Sequence, residues 1–156
     1  MLELTEKIDQ ADRYDVVISL DYDARKRGRL KVLTDSGEEA GLFLERGQVL
    51  TDGDCLKAVD GRVVLVQAAS ERLVEASTSD PLLFATICYH LGNRHTPVEI
   101  GPGRGCFQPD HVLAEMCRDW GLTVSEVDQP FHPESGAYGK HSKHHHHCIP
   151  PCSAYY

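Results

Sequence analysis

Short apolar runs rich in β-branched residues, separated by turn residues, fill the chain from Tyr14 to Ala69. Asp60-Gly61 separates the last two runs and is a strong hairpin signal. Strands are therefore predicted at five runs, which are residues 16–18, 30–33, 41–44, 55–59 and 62–66. This half of the chain is predicted to be an all-β domain.

The pattern changes near Glu71, where apolar strands begin to alternate with helical segments. Strands are predicted at residues 73–76, 98–100, 105–107 and 123–127, and helices at residues 81–91 and 109–120. The order is βαββαβ, in which two helices cover one face of a four-stranded antiparallel sheet, the ferredoxin-like arrangement. The predicted fold class is α+β, with an all-β domain at residues 1–72 and a ferredoxin-like domain at residues 73–139.

The first predicted helix has clear signals at both ends. Asp80 can cap its N-terminus before Pro81, and Gly92 can adopt the left-handed conformation that ends a helix. Its predicted apolar face consists of Leu82, Leu83, Ile87 and Leu91. These signals place His95 in a rigid corner just after the helix. The second helix is predicted to end at Gly121 and to bury Val112, Leu113, Met116, Cys117 and Trp120.

Residues 140–156 have no core-forming face and are predicted to be a disordered metal-binding tail. Imidazole nitrogen suits nickel, copper and zinc, and thiolate sulfur shifts the preference toward softer ions. The alternative is an added purification tag, but Ser142-Lys143 interrupts the histidines and nine residues follow them. The candidate ligands are His141, His144, His145, His146, His147, Cys148 and Cys152.

Overall charge and cysteine placement limit the partners and the compartment. A net charge of -8 argues against nucleic acid or an anionic membrane as the main partner. No apolar run could span a bilayer, and the first residues lack a secretory signal, so we expect a cytoplasmic protein. Four isolated cysteines are interpreted as reduced core thiols rather than a disulfide framework. They are Cys55, Cys88, Cys106 and Cys117.

A basic cluster, Arg25, Lys26, Arg27 and Arg29, stands out in this acidic chain. One interpretation is a solvated turn between two strands. The other is a docking patch that attracts an acidic partner. The sequence leaves both open.

Several motifs together resemble a known family. The most specific is the run Tyr89-His90-Leu91-Gly92-Asn93-Arg94-His95. Further matching stretches are residues 43–47 with Gly53-Asp54, residues 110–113 and residues 130–139. Most of the chain therefore resembles UreE, the family of urease accessory proteins that act as nickel metallochaperones.

The resemblance implies that residues 1–72 bind a partner or peptide and that residues 73–139 bind metal and dimerise. It also implies roles for particular histidines. In the family, the histidine that corresponds to His95 lies at a two-fold dimer interface, where two copies hold one ion. Taken alone, His95 would be a structural or solvent-facing residue. His111 is the next implied ligand, although Pro109 stands where some relatives carry another histidine, and His111 is otherwise a surface residue at a helix start. His90 is interpreted as structural or auxiliary, and His132 carries little signal.

The implied function is that of a cytoplasmic homodimer that delivers Ni²⁺ to apo-urease, with Zn²⁺ or Cu²⁺ as alternative ions at the same sites. Implied partners are the GTPase UreG and the urease apoprotein with its other accessory proteins. The alternative is storage or detoxification of nickel, zinc or copper. An enzyme with Cys88 or Cys106 as nucleophile and His90 or His95 as base lacks an orienting third group and an oxyanion site. We therefore predict a protein that is not an enzyme.

Overall fold

The computed structural model describes residues 1–9 and 11–135 of the chain. This part of the chain has three helices and ten strands, and the strands form two sheets. The strands are β1 Leu2–Ile8, β2 Val16–Leu20, β3 Arg29–Leu33, β4 Glu39–Phe43, β5 Cys55–Ala58, β6 Val63–Ala68, β7 Ser70–Ser77, β8 Glu99–Gly101, β9 Arg104–Phe107 and β10 Thr123–Pro130. The helices are α1 Tyr22–Arg25, α2 Pro81–Asn93 and α3 His111–Asp119.

The N-terminal sheet has six strands in the order β2-β6-β5-β1-β4-β3. Its core is built mainly from leucines and valines, because alternate residues of each strand point to the same side. The predicted hairpin at Asp60-Gly61 is confirmed: β5 and β6 pair antiparallel, and Gly61 has a φ of 93°. All five predicted strands of this region are confirmed within one to two residues at each end.

The C-terminal sheet has four antiparallel strands in the order β10-β7-β9-β8. Both α2 and α3 pack on one face, where Val74, Ala76 and Phe107 meet Ile87 and Leu113. The predicted order of four strands and two helices is confirmed. The predicted helical faces are only partly correct, because three of their members are exposed, namely Leu82, Val112 and Trp120.

A smaller core joins the two sheets on the other face of the C-terminal sheet. Leu73, Cys106 and Phe131 are buried there, and Tyr22 of α1 packs against them. The ring of Tyr22 meets that of Phe131 edge to face, with 5.2 Å between centroids. The one-turn helix α1 therefore connects the N-terminal sheet to the C-terminal one.

Candidate metal centre

His95 lies in a defined turn at the end of α2. The side chain of Asp80 accepts hydrogen bonds from the amides of Leu82 and Leu83, so the predicted N-cap is confirmed. At the other end, the amide of Thr96 donates to the carbonyl of Leu91 at 3.2 Å, and the amide of His95 donates to the carbonyl of Gly92 at 3.0 Å. This pair of bonds is the Schellman motif. The motif provides hydrogen-bond donors for two carbonyls of the last turn that would otherwise have no partner.

The prediction that Gly92 adopts the left-handed conformation is wrong. The helix continues to Asn93, and His95 has the positive φ, 58°. It is the only residue other than glycine with a positive φ among residues 1–9 and 11–135. A side chain in this conformation costs roughly 1–2 kcal/mol. The chain thus accepts backbone strain at the position that carries the candidate ligand, a frequent property of functional sites.

The His95 side chain is exposed, and so is part of the neighbouring helix face. Leu82 and Tyr89, seven residues apart on α2, are 76% and 68% exposed. This spacing places both on one side of the helix. The helix that leads into the histidine corner therefore has two large apolar side chains in solvent on one side.

Residues 131–135, which we name the exit segment, lie against the strand that follows this corner. The amide of His132 donates to the carboxylate of Glu99 at 2.8 Å, and the amide of Glu134 donates to the carbonyl of Val98 at 2.8 Å. Val98 is three residues after His95. The exit segment thus runs from the end of β10 to the strand that follows the histidine corner. The predicted tail ligands lie outside the described residues.

His111 is the first residue of α3, as predicted, and it is exposed. Asp110 caps this helix by accepting from the amides of Val112 and Leu113 at 3.0 and 3.1 Å. His111 borders a groove of about 540 Å³ between α3 and β10, which Arg118 and Glu126 also line. The cap fixes the backbone of the first turn and so keeps His111 beside this groove.

Two other histidines have different surroundings. The ring of His90 lies 5.2 Å from that of Trp120 and 5.4 Å from that of Tyr89, so it belongs to an aromatic cluster at the ends of α2 and α3. His132 is exposed in the exit segment. Within residues 1–9 and 11–135 no three histidine, cysteine, aspartate or glutamate side chains are grouped closely enough to hold a metal ion.

The four cysteines of the two sheets and their helices are free thiols. Burial raises the pKa of Cys88 and Cys117, and burial together with Glu75 and Glu99 raises the pKa of Cys106. These three thiols therefore remain protonated at neutral pH and are poor ligands and poor nucleophiles there.

The basic cluster is divided by the fold. Lys26, Arg27 and Arg29 are exposed, whereas Arg25 is only 1% exposed. The guanidinium of Arg25 donates to the backbone carbonyls of Leu50 and Phe131. The interpretation of Arg25 as part of a surface patch is wrong, because α1 turns its side chain inward between the two sheets. No local sequence signal distinguishes it from its basic neighbours.

None of the helices in the described ranges is long and apolar enough to cross a bilayer.

Comparison with known proteins agrees with the motif pattern. The family model described as UreE urease accessory protein, N-terminal domain, matches residues 3–69, and the one for the C-terminal domain matches residues 71–150. The chain is 57% identical over 134 residues to the urease accessory protein UreE of Dechloromonas aromatica (strain RCB), covering 83% of this chain and 75% of the relative. It is 48% identical over 139 residues to that of Pseudomonas putida (strain W619), covering 88% and 86%. The chain belongs to the UreE family of urease accessory proteins.

Proposed function

We propose that this protein is a nickel metallochaperone that collects Ni²⁺ with its histidine- and cysteine-rich tail and passes it through a His95 site to apo-urease. A role in urease maturation follows from the family. The observation that supports the nickel route is the bond between Glu134 of the exit segment, six residues before the tail, and Val98, which follows the His95 corner. From Ser135 to His141 the chain can span up to about 20 Å, so tail ligands can reach this corner.

The His95 site is proposed to form between two copies of the chain. A single exposed imidazole provides too few ligands to hold an ion firmly, and a two-fold axis would supply a second His95 at the same point. Support comes from Leu82 and Tyr89, two large apolar side chains that are exposed on α2, the helix that ends at this corner. A site shared in this way makes dimerisation and metal binding reinforce each other.

The division into domains is also part of the proposal. The predicted boundary between residues 72 and 73 falls inside β7, which pairs with β10 from Ser70 onward, and the N-terminal part contains the short helix α1. Residues 1–69 are therefore proposed as a mainly β partner-binding domain, residues 70–139 as the ferredoxin-like domain, and residues 140–156 as the metal-binding tail. The sheet order β10-β7-β9-β8 with both helices on one face supports the ferredoxin-like assignment. A cytoplasmic location is supported by the free thiols, which are typical of a reducing compartment.

Nickel is the cargo in this proposal rather than a resident cofactor. Imidazole ligands also suit Zn²⁺ and Cu²⁺, so these ions are proposed to compete at the same sites. His111 is proposed as an outer ligand, supported by its exposure beside the groove and by the fixed first turn of α3. The tail residues His141, His144 to His147, Cys148 and Cys152 provide the capture step.

The proposed partners are the GTPase UreG and the urease apoprotein with its other accessory proteins. Lys26, Arg27 and Arg29 are exposed and supply a reduced basic patch for an acidic partner surface. The Nζ of Lys26 lies 3.2 Å from the Oδ1 of Asp23, so Lys26 already forms an ion pair within the chain. We infer that this patch contributes to the rate of association more than to final affinity.

Storage of metal is the competing function, and delivery to an acceptor distinguishes the two. The test mixes nickel-loaded protein with urease apoprotein and its accessory proteins in the presence of a chelator that removes free nickel. A chaperone activates urease under these conditions. A storage protein leaves urease inactive until nickel is released into solution. Catalysis by this chain is not proposed, because the thiols of Cys88, Cys106 and Cys117 are protonated at neutral pH.

A further inference from the structure

The side chain of Arg25 is buried at the junction of the two sheets without a role in any motif. Its Nη1 lies 3.4 Å from the carbonyl oxygen of Leu50, and its Nη2 donates to the carbonyl of Phe131, which is 106 positions away in sequence. The backbone of Arg25 also accepts a bond from the amide of Leu50 at 3.0 Å. One residue of the N-terminal sheet region thus holds the backbone of the C-terminal part of the chain.

Burial of this guanidinium is costly. Burial lowers the pKa of Arg25, with the charge of Glu71 acting against it, and its Nε has no hydrogen-bond partner among the described residues. A buried charge is retained where its remaining donors make strong, directed bonds. Arginine suits this position because its planar fork can reach two carbonyls at once, whereas a lysine ammonium is a single point on a flexible stem.

Phe131 is the first residue of the exit segment and is fully buried. It packs on Leu73 and Cys106, whose neighbours Val74 and Phe107 face the helices, so Phe131 lies on the opposite face of the sheet. From there the segment continues to Glu134, which bonds to Val98. The carbonyl that Arg25 holds is therefore at the point where the chain turns from β10 toward the histidine corner.

We propose that Arg25 is a positioning residue that fixes the path of the exit segment and so keeps Glu134, six residues before the tail, beside the strand that follows His95. This inference rests on the proposed function for its consequence, which is transfer of nickel from the tail to the His95 site. Without the Arg25 bonds, the exit segment is attached to the N-terminal sheet region only by the packing of Phe131 on Tyr22, and it opens more often. The tail then keeps its ligands, but their effective concentration at the corner falls.

Hydrogen exchange tests the positioning directly. The amides of His132 and Glu134 are held by Glu99 and Val98, so their exchange reports opening of the exit segment. In Arg25→Met these amides are expected to exchange about tenfold faster, the effect of losing a bond to a charged group. Arg27→Met is the matched control, because it removes the same charge from an exposed side chain two residues away. Its exchange should equal that of the natural protein.

Arg25→Lys extends the test to a variant that keeps the charge. Its single ammonium should give an exchange rate between those of the natural protein and Arg25→Met. If Arg25→Met loses protection throughout α2 and β7, the protein is opening more widely than the exit segment, and Arg25→Lys is then the variant that tests the positioning. Unchanged exchange of His132 and Glu134 in a folded Arg25→Met or in Arg25→Lys would overturn the positioning role.

The functional consequence is measured as urease activation at limiting nickel, beside the number of nickel ions bound. We expect severalfold slower activation by Arg25→Met with an unchanged nickel count. Faster exchange with normal activation would overturn the link between the exit path and transfer. Failure of the proposed function would appear differently, as normal activation by a His95→Ala protein, whatever the exchange of the Arg25 variants.

Discussion

His95 occupies the same position after α2 that Gly121 occupies after α3, and both residues have a positive φ, of 58° and 99°. The two turns have the same pair of closing bonds. The amide of Leu122 donates to the carbonyl of Cys117 at 3.0 Å, and the amide of Gly121 donates to the carbonyl of Arg118 at 2.9 Å. The amides of Thr96 and His95 make the equivalent two bonds after α2. Glycine is the usual residue at this position because it has no Cβ. The protein therefore places an imidazole where the backbone favours glycine.

His95→Gly should be more stable than His95→Ala by about 1 kcal/mol, because only glycine adopts this φ without strain. The free energy of unfolding from denaturant titration of the two metal-free proteins measures the difference. Gly121→Ala is the matched control, since a Cβ there meets no atom within 4 Å and its cost is purely conformational. Gly121→Ala should lower the free energy of unfolding by a similar amount. Equal stability of His95→Gly and His95→Ala would show that the turn is not strained.

The helix ends show which parts of the fold can be predicted from sequence. Asp80, Asp110 and Gly121 act on groups within three or four residues of themselves, so their signals are complete in a short stretch of chain. Gly92 is also a glycine near a helix end, but it lies about one turn before the left-handed residue. The helix continues past it and is closed by the Schellman bonds of His95 and Thr96. Local signals identify the corner but not the residue that bears the strain.

Other features depend on contacts far apart in sequence and are not predictable in this way. The helix α1 has one turn and shows no periodicity, and β1 offers only a short alternation of Leu2 and Leu4 with polar residues. Burial of Arg25 follows from its bond to Phe131. The attachment of the exit segment to Val98 likewise appears only when the sheet is assembled. These long-range contacts define the surroundings of the candidate site.

Asp110→Ala should destabilise the protein by about 1 kcal/mol, because the amides of Val112 and Leu113 lose their partner at the start of α3. Asp110→Asn, which can still accept these bonds, should lose much less. Thermal and denaturant unfolding measure both. A loss for Asp110→Asn as large as that for Asp110→Ala would indicate that the charge, rather than the cap, stabilises the helix that carries His111.

Stability should fall at alkaline pH because burial raises the pKa of three thiols. A thiol with a higher pKa in the folded protein keeps its proton longer there. Its contribution is complete below the ordinary thiol pKa, about 8.5, and is lost as the pH rises through the raised values. Cys117→Ala should show a shallower decline in the free energy of unfolding across this range. The same slope as in the natural protein would contradict a raised pKa at Cys117.

Removing the residues after Gly139 should lower the number of Ni²⁺ ions bound without loss of folding. We expect the tail to contribute ligands rather than core contacts, so circular dichroism and unfolding of the remaining chain should change little. Equilibrium dialysis at a fixed free nickel concentration measures the stoichiometry. A variant in which only the five tail histidines are replaced by serine separates imidazole from the Cys148 and Cys152 thiols. An unchanged nickel count in the truncated protein would exclude the tail as the capture site.

Urease activation by His95→Ala shows whether Ni²⁺ is transferred to urease from the His95 site. His90→Ala is the matched control, since it removes a half-buried histidine of the preceding helix that lies in an aromatic cluster. With nickel content and circular dichroism measured in parallel, we expect folded His95→Ala to keep most of its tail-bound nickel and to lose urease activation, while His90→Ala activates urease. Normal activation by folded His95→Ala would contradict the account.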